Sequence, residues 1–354
     1  MTDDKMYQWQ MTEPSQDFII VNSDIPEARE GMAIVKIAGC GVCHTDLSFW
    51  KFGVKTKHPL PLTLGHEISG TVISGTNGLT GKNVIVPAVI PCGECELCKG
   101  GRSNICRNQL MPGNDFHGGF ASHIEVPARF LCPVPDAVLD KYPLEKLCVI
   151  ADAVSTPYQV MKKAEIVKGD LAIVIGVGGV GIYGALIAKI MGAKVIAMDI
   201  SDEKLKLAEK NGADAVINTS GLDIKVIKDN VKEAAARLNA PLTGCKIFEI
   251  SGTKQGQELA FNLLTFASTL SIVGFTMDKL ELRLSNLMAF DAKLIGTWGC
   301  RAELYPEVLG LVESGALDIS DFVECFPLSS INEVFKKTLE HKYTKRSVLV
   351  PEHN

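Results

Sequence analysis

The sequence predicts a two-domain α/β protein, with a β-rich first part and a doubly wound parallel sheet in the second. Three observations lead there. The chain is 354 residues long, more than one hydrophobic core usually organises, because cores stop growing near ~250–300 residues. Up to about Ile150, short strand-like runs are broken by Gly, Pro and Asn, the pattern of a β domain carrying loops. After Pro157, strand-like and helix-like segments alternate instead, which implies parallel strands joined by right-handed crossovers.

In the first part the clearest runs are Met32 to Ile37, Ile68 to Ser74 and Asn83 to Val86. The second part opens on the apolar strand Leu171 to Ile175, followed by a helix from Val180 to Met191, a strand from Lys194 to Asp199 and a helix from Glu203 to Lys210. The alternation continues through Ala215 to Ile217, the helix Ile224 to Leu238, Lys246 to Ile250, the helix Gln255 to Leu264 and the strand Thr269 to Val273. Such a domain has about six strands. Helical patterns at Leu304 to Glu313 and near Asn332 to Glu340, then strand-like Ser347 to Val350, return to the first domain. The expected boundaries are 1–155 together with 295–354 for the first domain, and 156–294 for the second.

Composition narrows the function. Hydrophobic residues at 46% and charged residues at 22% supply core material and carry no signature of disorder. A net charge of -5 provides no general basic field, which argues against nucleic acid or an anionic membrane as partner. The longest apolar stretches, Leu171 to Gly181 and Ser268 to Phe275, fall short of the ~20 residues that span a bilayer, and the polar start Met-Thr-Asp-Asp-Lys has no signal-peptide pattern. Eleven cysteines are an odd number in a large chain, and four crowd together with metal-ligand spacing, so a reducing cytoplasm is expected in place of a disulfide framework. Cys40, Cys132, Cys148, Cys245, Cys300 and Cys325 stand among apolar or strand-like residues and read as small buried hydrophobes. The charge run Lys336-Lys337 through Lys345-Arg346 reads as a solvated helix face and its exit.

Gly176, Gly178 and Gly181 directly follow the strand Leu171 to Ile175 and, with Gly179 and Val180, open a helix. This is the context that Gly-x-Gly-x-x-Gly requires: a tight turn, close approach of backbone to a pyrophosphate, and close helix–strand packing, with the helix N-terminus facing the phosphates. Asp199, at the end of the next strand, can accept hydrogen bonds from the adenosine ribose and would repel a 2'-phosphate, which favours NAD over NADP.

Cys92, Cys95, Cys98 and Cys106 have the spacing Cys-x2-Cys-x2-Cys-x7-Cys, with Gly93, Gly100 and Gly101 letting the loop curl. Four thiolates close a tetrahedral zinc site that leaves no position for substrate, so its role is structural; an iron–sulfur cluster is the main competitor. A second pair, Cys43 and His66, is by spacing alone a weak signal.

Taken together, Gly-Val-Cys43-His44-Thr45-Asp46, Gly-His66-Glu67, the four-cysteine loop and Gly-Val-Gly-Gly-Val-Gly stand in an order that resembles the zinc-dependent medium-chain alcohol dehydrogenase family over essentially the whole chain. The resemblance implies a GroES-like catalytic domain, a Rossmann NAD domain, two zinc ions per chain and a homo-oligomer, dimer or tetramer. It implies a catalytic zinc held by Cys43, His66 and Asp152, where many members have a cysteine in place of the aspartate, with Glu67 a nearby or exchangeable ligand. A carboxylate is a harder ligand than a thiolate and is expected to leave the metal a stronger Lewis acid. The resemblance further implies Thr45 as proton relay, His44 and Arg346 at the cofactor pyrophosphate, and Lys204 at the adenosine ribose. Ser48 stands where several relatives carry a relay histidine, which leaves the proton's exit route open.

Within the family, Cys92-Gly-Glu-Cys-Glu-Leu-Cys, the segment from Met111 to His123 and Val126 to Val134 resemble the branch that oxidises 6-hydroxycyclohex-1-ene-1-carbonyl-CoA in anaerobic benzoyl-CoA degradation. That implies a CoA thioester substrate, for which small Ala88 would open the pocket and Lys51, Lys55 and Lys57 would meet CoA phosphates. The competing expectations are a dehydrogenase of a free alcohol, polyol or amino alcohol, and a non-catalytic NAD-binding protein; intact Cys43, Thr45, His66 and Asp152 argue against the latter.

Overall fold

Strand Met32–Gly41 is buried along nearly its whole length and feeds Ala33, Val35 and Ile37 into a hydrophobic core. In the computed structural model, which describes residues 5–75 and 78–353, this strand is the axis of a seven-stranded sheet. Its order is Val323–Pro327, Arg346–Val350, Met32–Gly41, Glu67–Gly75, Asn83–Val86 and Cys132–Pro133, with His123–Pro127 also pairing with Met32–Gly41. The sheet belongs to a unit made of Met1–Ser155 and Gly299–Asn354. Two pairings gather candidate site residues at one end of the sheet. Gly41 lies opposite Glu67, so the Cys43 and His66 motifs leave neighbouring strands together, and Val348 lies opposite Gly41, which brings Arg346 to that end from far along the chain.

The second unit, Thr156–Trp298, holds a six-stranded sheet ordered Ala215–Asn218, Lys194–Asp199, Leu171–Ile175, Lys246–Glu249, Thr269–Ile272 and Lys293–Gly296. Every pair is parallel. The strand order reverses direction between Leu171–Ile175 and Lys246–Glu249, the topological switch point at which doubly wound sheets bind ligands. The unit runs past the expected end at 294 because Lys293–Gly296 pairs with Thr269–Ile272. That edge strand is mostly exposed, so it carries little of the apolar signal that marked the others.

Two surface expectations change. Arg346 closes the charge run but is only 8% exposed, because its strand enters the sheet; the preceding helix Ile331–Leu339 does present solvated lysines, Lys336 pairing with Asp17 and Lys337 with Glu333. Cys325 is exposed, on the edge strand Val323–Pro327, while Cys40, Cys132, Cys148, Cys245 and Cys300 are buried. Among the described residues no helix is long and apolar enough to cross a membrane.

Candidate active site and cofactor turn

Two clusters of metal-ligating side chains form in the first unit. In the four-cysteine loop the sulfurs of Cys92 and Cys106 are 3.4 Å apart, Cys95 and Cys98 3.5 Å, Cys95 and Cys106 3.7 Å, and Cys92 and Cys98 4.0 Å. These are too long for disulfides and close to the ~3.8 Å edges of a tetrahedron with Zn–S bonds of ~2.3 Å. The backbone N–H of Glu94 donates to Cys92 Sγ, and amides at Glu94 and Cys95 bring the Cys92 thiol down to about 6. The donor set therefore fits zinc.

The second cluster is Cys43, His66, Glu67 and Asp152, whose ligand atoms all lie within 4.8 Å of one another. Cys43 caps the short helix His44–Trp50, His66 directly precedes strand Glu67–Gly75, and Asp152 ends the 3-10 helix Leu144–Ala151. Asp152 Oδ2 is 3.7 Å from Cys43 Sγ and 3.7 Å from His66 Nε2, against roughly 3.3–3.5 Å for such edges around a tetrahedral zinc. Burial works against a charged His66, yet the charges of Asp46 and Cys43 and hydrogen bonding to Asp152 and Asp46 hold its pKa well above the ordinary value. A pocket that favours positive charge this strongly fits a divalent cation.

The other expected residues take up varied positions around this cluster. Thr45 is half-buried with Oγ1 3.7 Å from Cys43 Sγ. His44 is exposed, its ring 6.0 Å from that of Phe52. Ser48 is buried and donates its hydroxyl to His44 O at 2.9 Å, so that hydroxyl closes its own helix turn. Both oxygens of Glu67 are taken by Arg346: Nε donates to Oε2 at 3.1 Å and Nη2 donates to Oε1. Arg346, expected at the pyrophosphate, forms a buried bidentate pair with Glu67, itself a member of the cluster.

In the second unit the glycine turn has the required shape. A Cβ on Gly181 would stand 1.7 Å from Gly176 O, whereas one on Gly178 would meet nothing nearer than Lys204 Nζ at 3.8 Å. The turn is therefore closed toward the helix and open at Gly178, beside a cation. Asp199 is anchored by backbone amides, accepting from Val177 at 2.9 Å, Ile200 at 2.8 Å and Ser201 at 3.0 Å.

Comparisons with known proteins point to one family. Residues 29–136 match the alcohol dehydrogenase GroES-like domain and residues 179–314 match the zinc-binding dehydrogenase domain. An alcohol dehydrogenase of Geobacillus stearothermophilus is 33% identical over 92% of this chain and 93% of its own length. The chain belongs to the zinc-dependent medium-chain alcohol dehydrogenase family. An L-threonine 3-dehydrogenase of Pyrococcus horikoshii is 29% identical over 90% of this chain and 91% of that one. The crystal structure of galactitol-1-phosphate dehydrogenase from Escherichia coli has the same fold, with a TM-score of 0.86, 24% identity and coverage of 98% and 100% of the two chains. This dehydrogenase is an oxidoreductase acting on alcohols, with zinc and NAD as cofactors.

Two residues of the dehydrogenase escaped the sequence reading. Asp46 is fully buried and accepts from the amides of Cys43 at 2.9 Å and Gly65 at 3.1 Å, while its Oδ1 lies 3.3 Å from His66 Nδ1. It holds two ligand loops together and faces the ring nitrogen opposite the one beside Asp152, the usual arrangement behind a metal-bound histidine. Its only sequence signal was its place in the Cys-His-Thr-Asp motif. Glu249, also fully buried, accepts from Ser251 N at 2.8 Å, Ser251 Oγ at 2.5 Å and Gly252 N at 3.1 Å. It fixes a loop whose Ser251 backbone presses on Gly176.

The two glycines predict opposite phenotypes. Gly178→Ala is expected to leave the melting temperature unchanged and raise the KM for NAD at least about tenfold, because the methyl intrudes only where the pyrophosphate approaches. Gly181→Ala should destabilise the fold by more than ~2 kcal/mol, since its methyl has no space and the helix must move. Thermal melts with NAD titrations decide both; an unaltered NAD KM in Gly178→Ala would remove that assignment.

Proposed function

We propose that the dehydrogenase oxidises a cyclic allylic secondary alcohol carried on a CoA thioester, 6-hydroxycyclohex-1-ene-1-carbonyl-CoA, to the 6-oxo ketone in anaerobic benzoyl-CoA degradation. The observation that supports this is the sequence of the segment Met111 to His123, through which the chain resembles that branch. Its Gly118, Gly119 and Phe120 amides donate to the carbonyls of Thr63, Gly65 and Leu64 at 2.7, 2.8 and 3.0 Å, so it braces the loop that delivers His66. Ala88 is buried and small. Of the exposed lysines, Lys51 lies over the Trp50 ring and Lys57 pairs with Asp115 at 2.9 Å, which leaves Lys55 as the cation best able to meet a phosphate.

When bound, zinc lowers the pKa of the alcohol and NAD accepts the hydride. Cys43, His66 and Asp152 would hold the metal, with Asp46 orienting His66. Thr45 Oγ1 takes the proton from the substrate hydroxyl. Ser48 does not continue that relay, because its hydroxyl is committed to His44 O; Thr45 would pass the proton on to water.

A second reading, oxidation of a free alcohol, polyol or amino alcohol, is supported by the likeness to the threonine and galactitol-1-phosphate enzymes. Following NADH absorbance with the thioester beside a panel of free alcohols separates the two: strong thioester turnover is expected, and turnover confined to free alcohols would discard the CoA substrate while keeping the chemistry. Lys55→Glu is expected to raise the KM for the thioester about tenfold, the loss of one charge-assisted hydrogen bond, without changing the KM for NAD. Homo-oligomerisation belongs to the same proposal, supported by exposed Leu294 in the edge strand Lys293–Gly296 and exposed Leu284 and Met288 at the helix Ser285–Phe290 that precedes it; a monomeric mass by light scattering would remove it. None of the eleven cysteines is in a disulfide, which supports a reducing cytoplasm.

A further inference from the structure

Tyr305 opens the helix Tyr305–Glu313 in the C-terminal return to the first unit, and its side chain is fully buried. Its hydroxyl donates to the carbonyl oxygen of Ala151 at 2.5 Å and accepts from the backbone N–H of Ala88 at 3.3 Å. Ala151 is the last residue of the 3-10 helix Leu144–Ala151, and Asp152 follows it directly. Carbonyls at a helix end have no partner inside the helix, so a buried one needs a donor from elsewhere. Tyr305 supplies it, and the Ser155 hydroxyl adds a second donor to the same oxygen at 3.2 Å. A buried phenol that both donates and accepts is a directional link between two backbones, whereas the ring alone would serve for packing.

We propose that Tyr305 is a positioning residue for the catalytic metal: by tying the Ala151 carbonyl to the Ala88 amide it fixes the backbone that aims Asp152 Oδ2 at Cys43 and His66. The same bridge ties the Asp152 turn to Ala88, the residue proposed for the pocket wall, so metal geometry and pocket shape share one hydroxyl. This builds on Asp152 as the third zinc ligand, and the test keeps the two assignments distinguishable. Tyr305→Phe retains the ring and removes only the link.

The zinc-loaded wild type, Tyr305→Phe and Asp152→Ala are dialysed against a chelator and their zinc content is followed by mass spectrometry, with the four-cysteine zinc as internal standard. The visible spectra of the cobalt-substituted proteins report the geometry of the catalytic site. Tyr305→Phe is expected to lose one of its two zinc ions about tenfold faster than wild type, the range seen when a residue supporting a metal ligand is removed. Its cobalt bands should shift while its melting temperature changes little. Wild-type zinc loss and an unshifted spectrum in Tyr305→Phe, with rapid loss in Asp152→Ala, would overturn the role of Tyr305 and leave the ligand assignment standing. Accelerated loss of both zinc ions in Tyr305→Phe would also overturn it, as general loosening. Retention of both zinc ions by Asp152→Ala would overturn the ligand assignment and the proposal together.

Discussion

Asp152→Ala is expected to lower kcat/KM for the alcohol by about a thousandfold or more while leaving the four-cysteine zinc in place. Metal assistance supplies several kcal/mol of transition-state stabilisation, and ~4 kcal/mol corresponds to about a thousandfold in rate. Asp152 Oδ2 is the oxygen that faces both Cys43 Sγ and His66 Nε2, and Glu67 cannot readily replace it because Arg346 holds both of its oxygens. Asp152→Cys sharpens the test. A thiolate should retain the metal but donate more charge to it, so the alcohol ionises less readily and the pH at which kcat rises should move upward. Zinc content and pH–rate profiles measure both effects; wild-type turnover in Asp152→Ala would remove Asp152 from the site.

Arg346→Ala is expected to destabilise the protein by about 3–5 kcal/mol, because removing one partner of a buried ion pair leaves the other charge uncompensated. Glu67 is 0% exposed and Arg346 8%. Burial already pushes the Glu67 carboxyl upward and Arg346 opposes that push, so without Arg346 the carboxyl is driven toward its neutral form beside the metal ligands. The melting temperature should fall by on the order of 10 °C. Arg346→Lys should recover only part of the loss, since an ammonium cannot make the bidentate contact, and Glu67→Gln combined with Arg346→Ala should be less destabilised than Arg346→Ala alone. Were Arg346 only a pyrophosphate ligand, the melting temperature would stay put and the NAD KM alone would rise.

The elements and motifs legible in the sequence share one property: what specifies them is local. The ligands Cys92, Cys95, Cys98 and Cys106 lie in one loop, so their spacing along the chain already limits their separation in space. The turn at Gly176, Gly178 and Gly181 is likewise set by short-range sterics, with no room for a Cβ at Gly181 and open space at Gly178. Strands such as Leu171–Ile175, fully buried, announce themselves as apolar runs. The edge strand Lys293–Gly296 does not, because it has few buried side chains to record.

The cluster of Cys43, His66 and Asp152 was legible only through resemblance, since its parts are brought together by sheet register. Gly41 opposite Glu67 places Cys43 and His66 at one end, and the 3-10 helix Leu144–Ala151 delivers Asp152 to them. Tertiary structure alone decided the fate of Arg346, which reads as the end of a charge run but pairs with Glu67 across 279 residues. It also placed the Tyr305 hydroxyl against Ala151, 154 positions away, and left Cys325 in solvent on an edge strand. By itself, then, the sequence determined the parts whose chemistry needs only a turn or a loop: the cofactor turn, the four-thiolate site and the alternation that builds the parallel sheet. Which buried charges meet, which hydroxyl reaches the Ala151 carbonyl and which cysteine faces water were decided by packing, because those energies depend on desolvation and on partners that no local spacing encodes.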